Sequence, residues 1–579
     1  MLLKITGFMG ENPKTIPRLI GDSYAQFAYN TRLDDGGLTP IRKSKFAYQL
    51  PAAPAGGYKT LYRHNGDWMA WGSQVFLAPG PVAQDRLYIM GNGAPKVRIG
   101  GSEYPLRLAP PGIPLSASVS GTPTSNLGST RLYVQTFVTQ WGEESEPSPI
   151  SNEVYWQPGQ TVTLTNFAQA AAGRGITTQR IYRAQTSSTG TLLYFIAERA
   201  VSTAAFVDNV PLDASQEALP SADYNPPPDN LTGLISLPNG MMAAFRGKQL
   251  YFCEPYKPHA WPEKYILTTD YSIVGLGAFG NSIAVVTTGN PYLVTGTSPD
   301  TMSMEKLELN LPCINSNGIV DLGYSVVYPS HDGLVSVSSN GPQLIPLFTR
   351  DDWLRMNPYN MTAGQYNGRY ITRFNYANAQ GLELKGSFII DLTGTQPFLI
   401  RTDANPDAMY YDLPTGKLYM LQGNIVSEWD AEGAANAVQS WRSKLFVLPK
   451  PTNFGAIKVD SDEGITPEQV YALEQEAAQV RTSNSALFGK STLQGELNGS
   501  PLDTFSLNGD ILAPIPTISQ QVSVNIIANG KTVATIGRLN RMARLPSGFL
   551  ADRWEILVSG DTQISQIILA TTGDELSGA

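Results

Sequence analysis

The feature that most constrains the fold is a β-hairpin that recurs between about residues 237 and 429. Each copy has a hydrophobic strand, a tight polar turn and a second strand, and the turns at Gly247, Asn290 and Gly333 follow one another at intervals of about 43 residues. One hairpin alone buries too little apolar surface to be stable in water, so these units must pack on their neighbours. The interval is that of one four-stranded blade, and it predicts a β-propeller.

Five hairpins follow this pattern. They are predicted at Met241–Phe245 with Gln249–Cys253, Ser282–Thr287 with Tyr292–Thr295, Ser325–Pro329 with Leu334–Ser338, Tyr370–Tyr376 with Leu384–Ile390, and Met409–Leu413 with Lys417–Leu421 and Ile425–Trp429. No WD dipeptide or kelch double glycine repeats with them, so a β-sandwich or barrel with similarly spaced hairpins stays open as an alternative.

Turn and proline content divide the rest of the chain. Residues 1–50 are an extended N-terminal segment, and residues 51–108 give the first propeller strands, which strands beyond residue 230 are expected to close. Residues 109–228 lie between two proline-rich connectors and have the strand spacing of a small β-sandwich. Residues 229–440 supply the main blades, and residues 441–579 a C-terminal β-domain with one helix near 466–481.

The predicted fold class is therefore mainly β, with a β-propeller-like core, an inserted fibronectin III/Ig-like β-sandwich and a C-terminal β-domain that carries one helix. In the insert, Leu132, Val134 and Val138 fall on one face of a predicted strand. The polar turn at residues 142–149 resembles a loop of fibronectin III-like phage domains. For the helix, Thr466 is the predicted N-cap and Val470, Leu473, Ala477 and Val480 the docking stripe.

Charge and cysteine content limit the possible partners. The 41 Lys and Arg against 49 Asp and Glu leave a net charge of −8, spread without long runs, so the chain is not expected to hold DNA through a strongly basic face. Cys253 and Cys313 are expected to be buried free thiols. The N-terminus lacks the apolar core of a signal peptide, and we expect a protein made in soluble form in the cytoplasm without stable membrane insertion.

The residues that often carry chemistry do not form a recognisable site. The histidines His64, His259 and His331 are far apart and are expected to be solvated or packing residues. The acidic stretch Asp460-Ser461-Asp462-Glu463-Gly464 could be read as a calcium loop, but Tyr471 stands where such a loop needs Glu, and a solvated turn explains it more simply.

Propellers also include glycosidases, so we considered that class. Ser330-His331-Asp332-Gly333 departs from the Asp-box turn of sialidases by one residue, and Asp332, Asp351 and Asp352 cannot be paired without distances. Four tryptophans could stack on sugars or be core residues, namely Trp68, Trp71, Trp261 and Trp353. No catalytic, cofactor-binding or metal-binding residue is predicted, and the chain is expected not to be an enzyme.

One N-terminal motif resembles a known family. Residues Ala25 to Arg42 have the form A-x-x-A-x-N-T-R-L-D-x-G-x-L-x-P-x-R, which is similar to the start of the nozzle, or tail tubular protein B, family of short-tailed (podovirus-type) bacteriophages. The ending at Arg553 to Gly560 is also similar. The resemblance implies a virion structural protein of the tail: a ring of six copies that docks on the tail adaptor, carries fibre or spike contacts and conducts DNA during ejection.

Two other hypotheses compete with this one. The first is a phage or bacterial surface propeller that binds or hydrolyses host glycans, and activity on a host polysaccharide would favour it. The second is a general propeller scaffold for cellular proteins, which leaves the N-terminal motif unexplained. The nozzle hypothesis is preferred because it accounts for that motif, with DNA passing through the channel and no sequence-specific binding.

Overall fold

Small antiparallel sheets dominate the computed structural model, which describes residues 1–187, 190–211, 217–377, 383–394, 396–462, 467–489 and 522–577. Within these ranges the α-helices are α1 (Arg350–Arg355), α2 (Pro467–Gly489) and α3 (Asp574–Ser577), and none has the length and apolarity needed to cross a membrane. Short 3₁₀ helices lie at Pro238–Gly240, Glu263–Tyr265, Pro299–Thr301, Ser316–Gly318 and Pro358–Asn360. The prediction of a mainly β protein is confirmed.

Seven sheets succeed one another in a closed cycle, as blades do in a propeller, and a hydrophobic cluster joins each sheet to the next. We number these ring sheets from the first complete one. The first has Phe76–Pro79, Arg86–Met90, Lys96–Ile99 and Ser102–Pro105; the second Thr232–Ser236, Met242–Arg246, Gln249–Phe252 and Leu267–Thr268; the third Ile273–Phe279, Ser282–Thr287, Tyr292–Thr295 and Ser303–Lys306; the fourth Val320–Asp321, Ser325–Ser330, Gly333–Ser338 and Gly341–Leu344.

The remaining three ring sheets are less regular. The fifth has Ala363–Tyr366, Arg369–Ala377, Glu383–Asp391 and Phe398–Thr402; the sixth Ala408–Asp412, Lys417–Gln422, Ile425–Trp429 and Lys45–Gln49; the seventh only Thr60–His64 and Asp67–Trp71. The five predicted hairpins lie in the second to sixth ring sheets, with strand ends that differ from the predicted ones by a few residues at most. These hairpins could be located from the sequence because the residues that form each tight turn are adjacent in the chain and of types that favour turns.

The ring closes through a strand from the first 50 residues. Lys45–Gln49 pairs antiparallel with Ile425–Trp429 as the outer strand of the sixth ring sheet. The seventh sheet fills the remaining gap, where the Tyr410 hydroxyl donates to the carbonyl of Arg63 at 3.2 Å. The sequence pattern placed residues 45–49 in an extended segment, because a pairing partner almost 400 positions away leaves no local signal.

The strands between Ser116 and Asp208 form sheets of their own outside the seven ring sheets, and we call residues 109–228 the inserted unit. Its strands are Ser116–Ser120 with Thr161–Thr165 and Phe206–Asp208, Ser129–Arg131 with Val154–Trp156, and Tyr133–Thr139 with Ile176–Ser187 and Gly190–Ala200. Ala117 and Val162 from one sheet share a core with Tyr133 and Ile181 from another, so the two sheets pack face to face.

One strand of the inserted unit differs from the one-sided pattern predicted for it. All seven residues of Tyr133–Thr139 are buried. Tyr133 lies in the core of the unit, whereas Thr136, on the opposite face with Val134 and Val138, donates to Glu144. Both faces are therefore covered, and the face predicted to form the core is covered by polar groups that are themselves paired.

We call the described strands from Gln439 onward the C-terminal unit. One strand of the N-terminal segment joins this unit to the ring sheets. Ala25–Tyr29 lies between Phe398–Thr402 of the fifth ring sheet and Gln439–Ser443. Beyond it the sheet continues with Ala551–Gly560, Val522–Ala528 and Lys531–Ile536, and Phe446–Thr452 pairs with Ala551–Gly560. A second sheet, called the C-terminal sheet, has the strand order Leu2–Ile5, Gln566–Ala570, Ala456–Asp460 and Met542–Arg544. A small pair is formed by Thr31–Arg32 and Thr39–Pro40.

Helix α2 is longer than predicted. It ends at Gly489 instead of near Arg481. Ala477 is buried and Leu473 and Val480 are half-buried, in line with the predicted stripe, but the N-cap Thr466 and the side chain of Val470 lie outside the described residues. The extension has a simple cause: residues 482–489 contain no proline, so nothing in the sequence stops the helix at the predicted position.

Candidate functional site: two buried ionic joints

The N-terminal motif Ala25 to Arg42 lies where the ring meets the C-terminal unit. Ala25, Ala28, Leu33 and Leu38 are all buried in the largest hydrophobic cluster, which draws on the fifth and sixth ring sheets and on both sheets of the C-terminal unit. Asn30 has a positive φ of 51°, a conformation that Asn tolerates better than most residues. The motif therefore packs between two parts of the chain, and we call this region the motif joint.

Asp430 is the polar centre of the motif joint. Its carboxylate accepts hydrogen bonds from the guanidinium of Arg32 at 3.3 Å, the backbone N–H of Arg42 at 2.8 Å and the hydroxyl of Tyr366 at 2.7 Å. The Asp430 side chain is only 4% exposed. Burial, together with the charge of Asp430, raises the pKa of Tyr366, so the phenol stays protonated and donates. One carboxylate thus connects the motif to the fifth and sixth ring sheets.

Two further ion pairs hold the N-terminal segment to the fifth ring sheet. Glu11 accepts two parallel hydrogen bonds from Arg401, each 2.9 Å long, and a third from the backbone N–H of Ala28. Asp34 pairs with Arg369, whose Nε also donates to Asp391 at 2.7 Å. Burial raises the pKa of Glu11 despite its arginine partner, because desolvation disfavours the charged form.

The motif also reaches the C-terminal unit through its backbone. Leu38 and Ile564 exchange two backbone hydrogen bonds, of 2.8 and 2.9 Å. The Gln439 side chain donates to the carbonyls of Leu38 and Thr562. Since the same short motif bonds the ring on one side and the C-terminal unit on the other, it restricts movement between them.

A second joint holds the inserted unit to the ring, and Glu143 is at its centre. Arg86 of the first ring sheet donates to Glu143 at 3.1 Å, and Arg174 of the inserted unit donates to it at 2.6 Å. All three side chains are less than a tenth exposed. We call this the insert joint. A carboxylate between two guanidinium groups from different units resists separation, because opening would leave buried charges unpaired.

Glu144 extends the insert joint. Its carboxylate accepts hydrogen bonds from Thr136 at 2.7 Å, Tyr182 at 2.7 Å and Arg180 at 2.8 Å. Its backbone carbonyl lies 3.0 Å from Nε2 of the buried His259, which belongs to the ring. Burial lowers the pKa of His259 to about 4, so its imidazole is neutral at pH 7 and donates a hydrogen bond through Nε2.

The segment after Glu144 is fixed by serines at every third position. Ser145, Ser148 and Ser151 accept hydrogen bonds from the backbone N–H groups of Phe137, Gln135 and Tyr133, at 3.0, 3.1 and 3.0 Å. Prolines at 147 and 149 favour the extended polyproline conformation, which has three residues per turn and so presents every third side chain to the same side. The predicted polar turn therefore follows a strand edge, with Glu143, Glu144, Ser145 and Ser148 buried, and the Ser-x-x-Ser-x-x-Ser spacing was the signal for it.

The three histidines lie apart and have separate contacts. His64 lies 3.3 Å from the side chain of Asn65, and Nδ1 of His331 lies 3.1 Å from the Tyr359 hydroxyl. His259 is the residue of the insert joint described above. Among the residues that the structure describes, no three His, Cys, Asp or Glu side chains are grouped so that they could hold a metal ion.

The acidic candidates have local structural partners. Asp460 pairs with Lys458 at 3.0 Å and accepts a hydrogen bond from Gln566 at 2.6 Å. Ser461 exchanges hydrogen bonds with Asn540, while Glu463 and Gly464 lie outside the described residues. Asp332 pairs with Arg350, and Asp351 and Asp352 lie in the first turn of α1, where Asp352 bonds the cap residue Thr349.

The tryptophans and cysteines are mostly interior residues. Trp261 and Trp353 are 1% exposed, so they cannot stack on a sugar. Trp68 makes an edge contact with Tyr419 at 4.8 Å between ring centroids, and Trp71 packs between the seventh and first ring sheets. Cys253 and Cys313 are buried free thiols, and burial raises the pKa of each to about 12.

Comparison with known proteins yields structural likenesses only. No family model and no curated protein matches the chain. The N-terminal domain of Nup159 is 13% identical, with a TM-score of 0.22, over 45% of this chain and 68% of that chain. The BBS1N chain solved with ARL6DN is 10% identical, with a TM-score of 0.25, over 68% of this chain and 98% of that chain. TM-scores this low carry no argument about the function of this chain.

Proposed function

We propose that the chain is a structural component of a bacteriophage tail that forms a nozzle-type ring, docks on the tail adaptor and conducts DNA during ejection. The observation that supports this proposal is the motif joint. Residues of the motif that resembles the nozzle family connect the ring sheets to the C-terminal unit: Arg32 and Arg42 donate to Asp430, and Leu38 exchanges backbone hydrogen bonds with Ile564. A motif used in this way holds the parts of one subunit together, which a mechanical role requires, and such a role needs no catalytic group.

In this proposal the seven ring sheets are propeller blades and residues 109–228 are a fibronectin III-like sandwich. In the proposal each subunit is one wedge of the assembly, and the two joints hold its three units together. Identical subunits can close into a multi-subunit ring through head-to-tail contacts, in which each subunit uses two different surfaces. Six copies, fibre or spike contacts and a place in the virion tail, after synthesis as a soluble protein in the host cytoplasm, follow from the family resemblance.

The test is the mass of the purified chain, alone and mixed with tail components, by light scattering and negative-stain imaging. A ring of about six copies with an axial hole is expected, formed by the chain itself or on the tail adaptor. An Asp430→Ala variant should assemble poorly, whereas the exposed Asp403→Ala variant should assemble normally. A monomer that ignores tail components and binds or cleaves host glycans would overturn the proposal and favour the glycan hypothesis.

A further inference from the structure

The first strands of the seven ring sheets form the inner wall of the ring. Each contacts the first strand of the next sheet, in the order Thr60–His64, Ala408–Asp412, Ala363–Tyr366, Val320–Asp321, Ile273–Phe279, Thr232–Ser236 and Phe76–Pro79. Residues at or next to the starts of five of these strands line one pocket. The pocket therefore lies at one end of the ring axis, and we call it the axial pocket.

A hydrogen bond joins opposite sides of the ring at the axial pocket. The Ser316 hydroxyl, just ahead of the fourth ring sheet, donates to Oε1 of Gln74, just ahead of the first, at 2.7 Å. In either direction around the ring, at least two other sheets lie between these two. Both residues line the pocket. The bond orients the Gln74 amide, whose Nε2 has no hydrogen-bond partner in the part of the chain that the structure describes.

The axial pocket has a volume of about 150 Å³, and its lining comes from the first, fourth, fifth, sixth and seventh ring sheets or the segments that enter them. Part of this lining is apolar, with Phe76, Ile319 and Met409. At about 30 Å³ for each water molecule, the pocket has room for about five waters or for one small organic group. Because each lining segment is held by its own sheet, the site is formed before a ligand binds.

The charge of the axial pocket is positive. Lys59 is the one charged residue in its lining, is exposed and forms no ion pair with any described residue. The side chains of Asn317 and Thr362 belong to the same lining and have no hydrogen-bond partner within the described ranges. Since no carboxylate occurs among the described lining residues, an anion meets a cation and amide donors without repulsion. Groups that both donate and accept, such as the Asn317 amide, suit hydroxyl groups of the same ligand.

We propose that the axial pocket binds a small hydroxylated oxyanion, which is either the carboxylate of a sugar acid or the phosphate of a sugar phosphate. Lys59 pairs with the oxyanion and Gln74 donates to it, while Asn317 and Thr362 bond hydroxyl groups beside it. Met409 covers carbon atoms of the ligand. The inference goes beyond the tail function and does not depend on it, because a conduit needs no small ligand and ring assembly is measured separately.

The experiment titrates the full chain with glucuronate, glucose 6-phosphate and glucose, and measures binding by saturation-transfer NMR. Glucose is the ligand control, because it has the hydroxyl groups without the oxyanion. We expect at least one of the charged ligands to bind about fivefold more tightly than glucose, as one partly exposed ion pair allows. The tighter of the two identifies the oxyanion as a carboxylate or a phosphate.

Variants assign the binding to the axial pocket. Lys59→Met keeps the apolar stem of the side chain and should abolish the preference for the charged ligand, whereas Lys59→Arg should retain it. Lys248→Met, at an exposed position in the second ring sheet outside the pocket, is the matched control and should bind as the unmodified chain does. Asn317→Ala tests the hydroxyl contact and should weaken the binding of all three ligands. Thermal unfolding of every variant controls for folding.

Several outcomes overturn the proposal. The pocket is not a ligand site if neither charged ligand shows saturable binding. Equal binding of glucose and the charged ligands removes the charge argument, and equal loss in K59M and K248M shows a non-specific charge effect. Inorganic phosphate that binds as tightly as glucose 6-phosphate, or acetate that binds as tightly as glucuronate, leaves no role for the hydroxyl contacts. Tighter binding of a short single-stranded DNA, lost in K59M, assigns the lysine to nucleic-acid phosphates instead.

Discussion

Arg86 of the first ring sheet donates a 3.1 Å hydrogen bond to Glu143 of the inserted unit, and both side chains are less than a tenth exposed. The two residues are 57 positions apart and belong to different units. Because Glu143 also accepts from Arg174, the three charges form a buried chain across the boundary. Removing one member leaves the others buried without compensation, which costs far more than breaking an ion pair on the surface.

The first prediction concerns this pair. Glu143→Ala should destabilise the attachment of the inserted unit by about 3–5 kcal/mol, because two buried guanidinium groups lose their carboxylate. Limited proteolysis should then cut the proline-rich connectors near residues 110 and 226 faster than in the unmodified chain. Asp223→Ala removes the exposed pair with Lys264 and serves as the control, with a change within about 0.5 kcal/mol. Equal cleavage of both variants would contradict the role of Glu143.

The second prediction concerns the motif joint. Asp430→Ala leaves the Tyr366 hydroxyl, the Arg42 N–H and Arg32 without their acceptor, and should cost about 2–4 kcal/mol. Hydrogen exchange should rise first in Ala25–Tyr29, the strand that joins the ring to the C-terminal unit. Asp403→Ala, at an exposed position, is the control. Unchanged exchange in Ala25–Tyr29 would show that the joint does not depend on Asp430 and is held by the Glu11 bonds, the Leu38–Ile564 bonds and the hydrophobic cluster.

The third prediction is a pH dependence carried by His259. Its pKa is about 4 in the folded chain against an ordinary value near 6.5, because burial disfavours the imidazolium. The unfolded chain therefore binds more protons between these values, and stability falls as the pH drops from about 6.5 towards 4. At about 1.4 kcal/mol per pKa unit, the loss should be roughly 2–4 kcal/mol.

Burial is the main cause of the lowered pKa of His259, and the charged groups that face it modify the shift. Glu143 favours the imidazolium, whereas Arg174 and Lys257 oppose it. Unfolding midpoints measured from pH 7 to pH 4 should show a shallower decline in His259→Gln than in the unmodified chain. His64→Gln, which changes a histidine in the seventh ring sheet outside the joint, should retain the full decline. The same slope in both variants would assign the pH dependence to other groups.

Local chemistry made part of this fold predictable. The hairpins of the second to fourth ring sheets were located from their turns. In the C-terminal unit, Asn529-Gly530 forms the turn between Val522–Ala528 and Lys531–Ile536, with φ values of 47° and 79°. An Asn-Gly pair adopts two consecutive positive φ angles with little strain, so its position fixes the register of the strands on either side. Such information is contained in a few adjacent residues.

The joints were not predictable in the same way. The sequence indicated only a polar turn at residues 142–149, and Glu143 and Glu144 within it are buried because Arg86, Arg174 and Arg180 compensate their charge from distant positions. Alternation along a strand also cannot show which face lies in the core when both faces are covered. Only the serines at every third position gave a local signal. Their spacing indicated an extended backbone, but it did not show that this backbone pairs with the strand Tyr133–Thr139.

The fourth prediction concerns closure of the ring at Trp68. Its side chain packs edge-on against Tyr419 of the sixth ring sheet, at 4.8 Å between ring centroids, and Arg63 lies 5.4 Å from its ring. Trp68→Ala removes a side chain that contacts Tyr410 and Tyr419 of the sixth ring sheet, and should cost about 2–4 kcal/mol, less than for a fully buried tryptophan because the side chain is partly exposed.

The measurement for Trp68 is the rate of proteolysis within residues 50–75 together with the thermal midpoint. Trp68→Phe keeps an aromatic ring at the contact and should recover part of the lost stability. Phe46→Ser, in the closing strand but 66% exposed, should change the midpoint little, since its ring contributes little buried area. If Phe46→Ser lowered the thermal midpoint as much as Trp68→Ala, closure of the ring sheets would depend on the strand Lys45–Gln49 and not on the aromatic contact of Trp68.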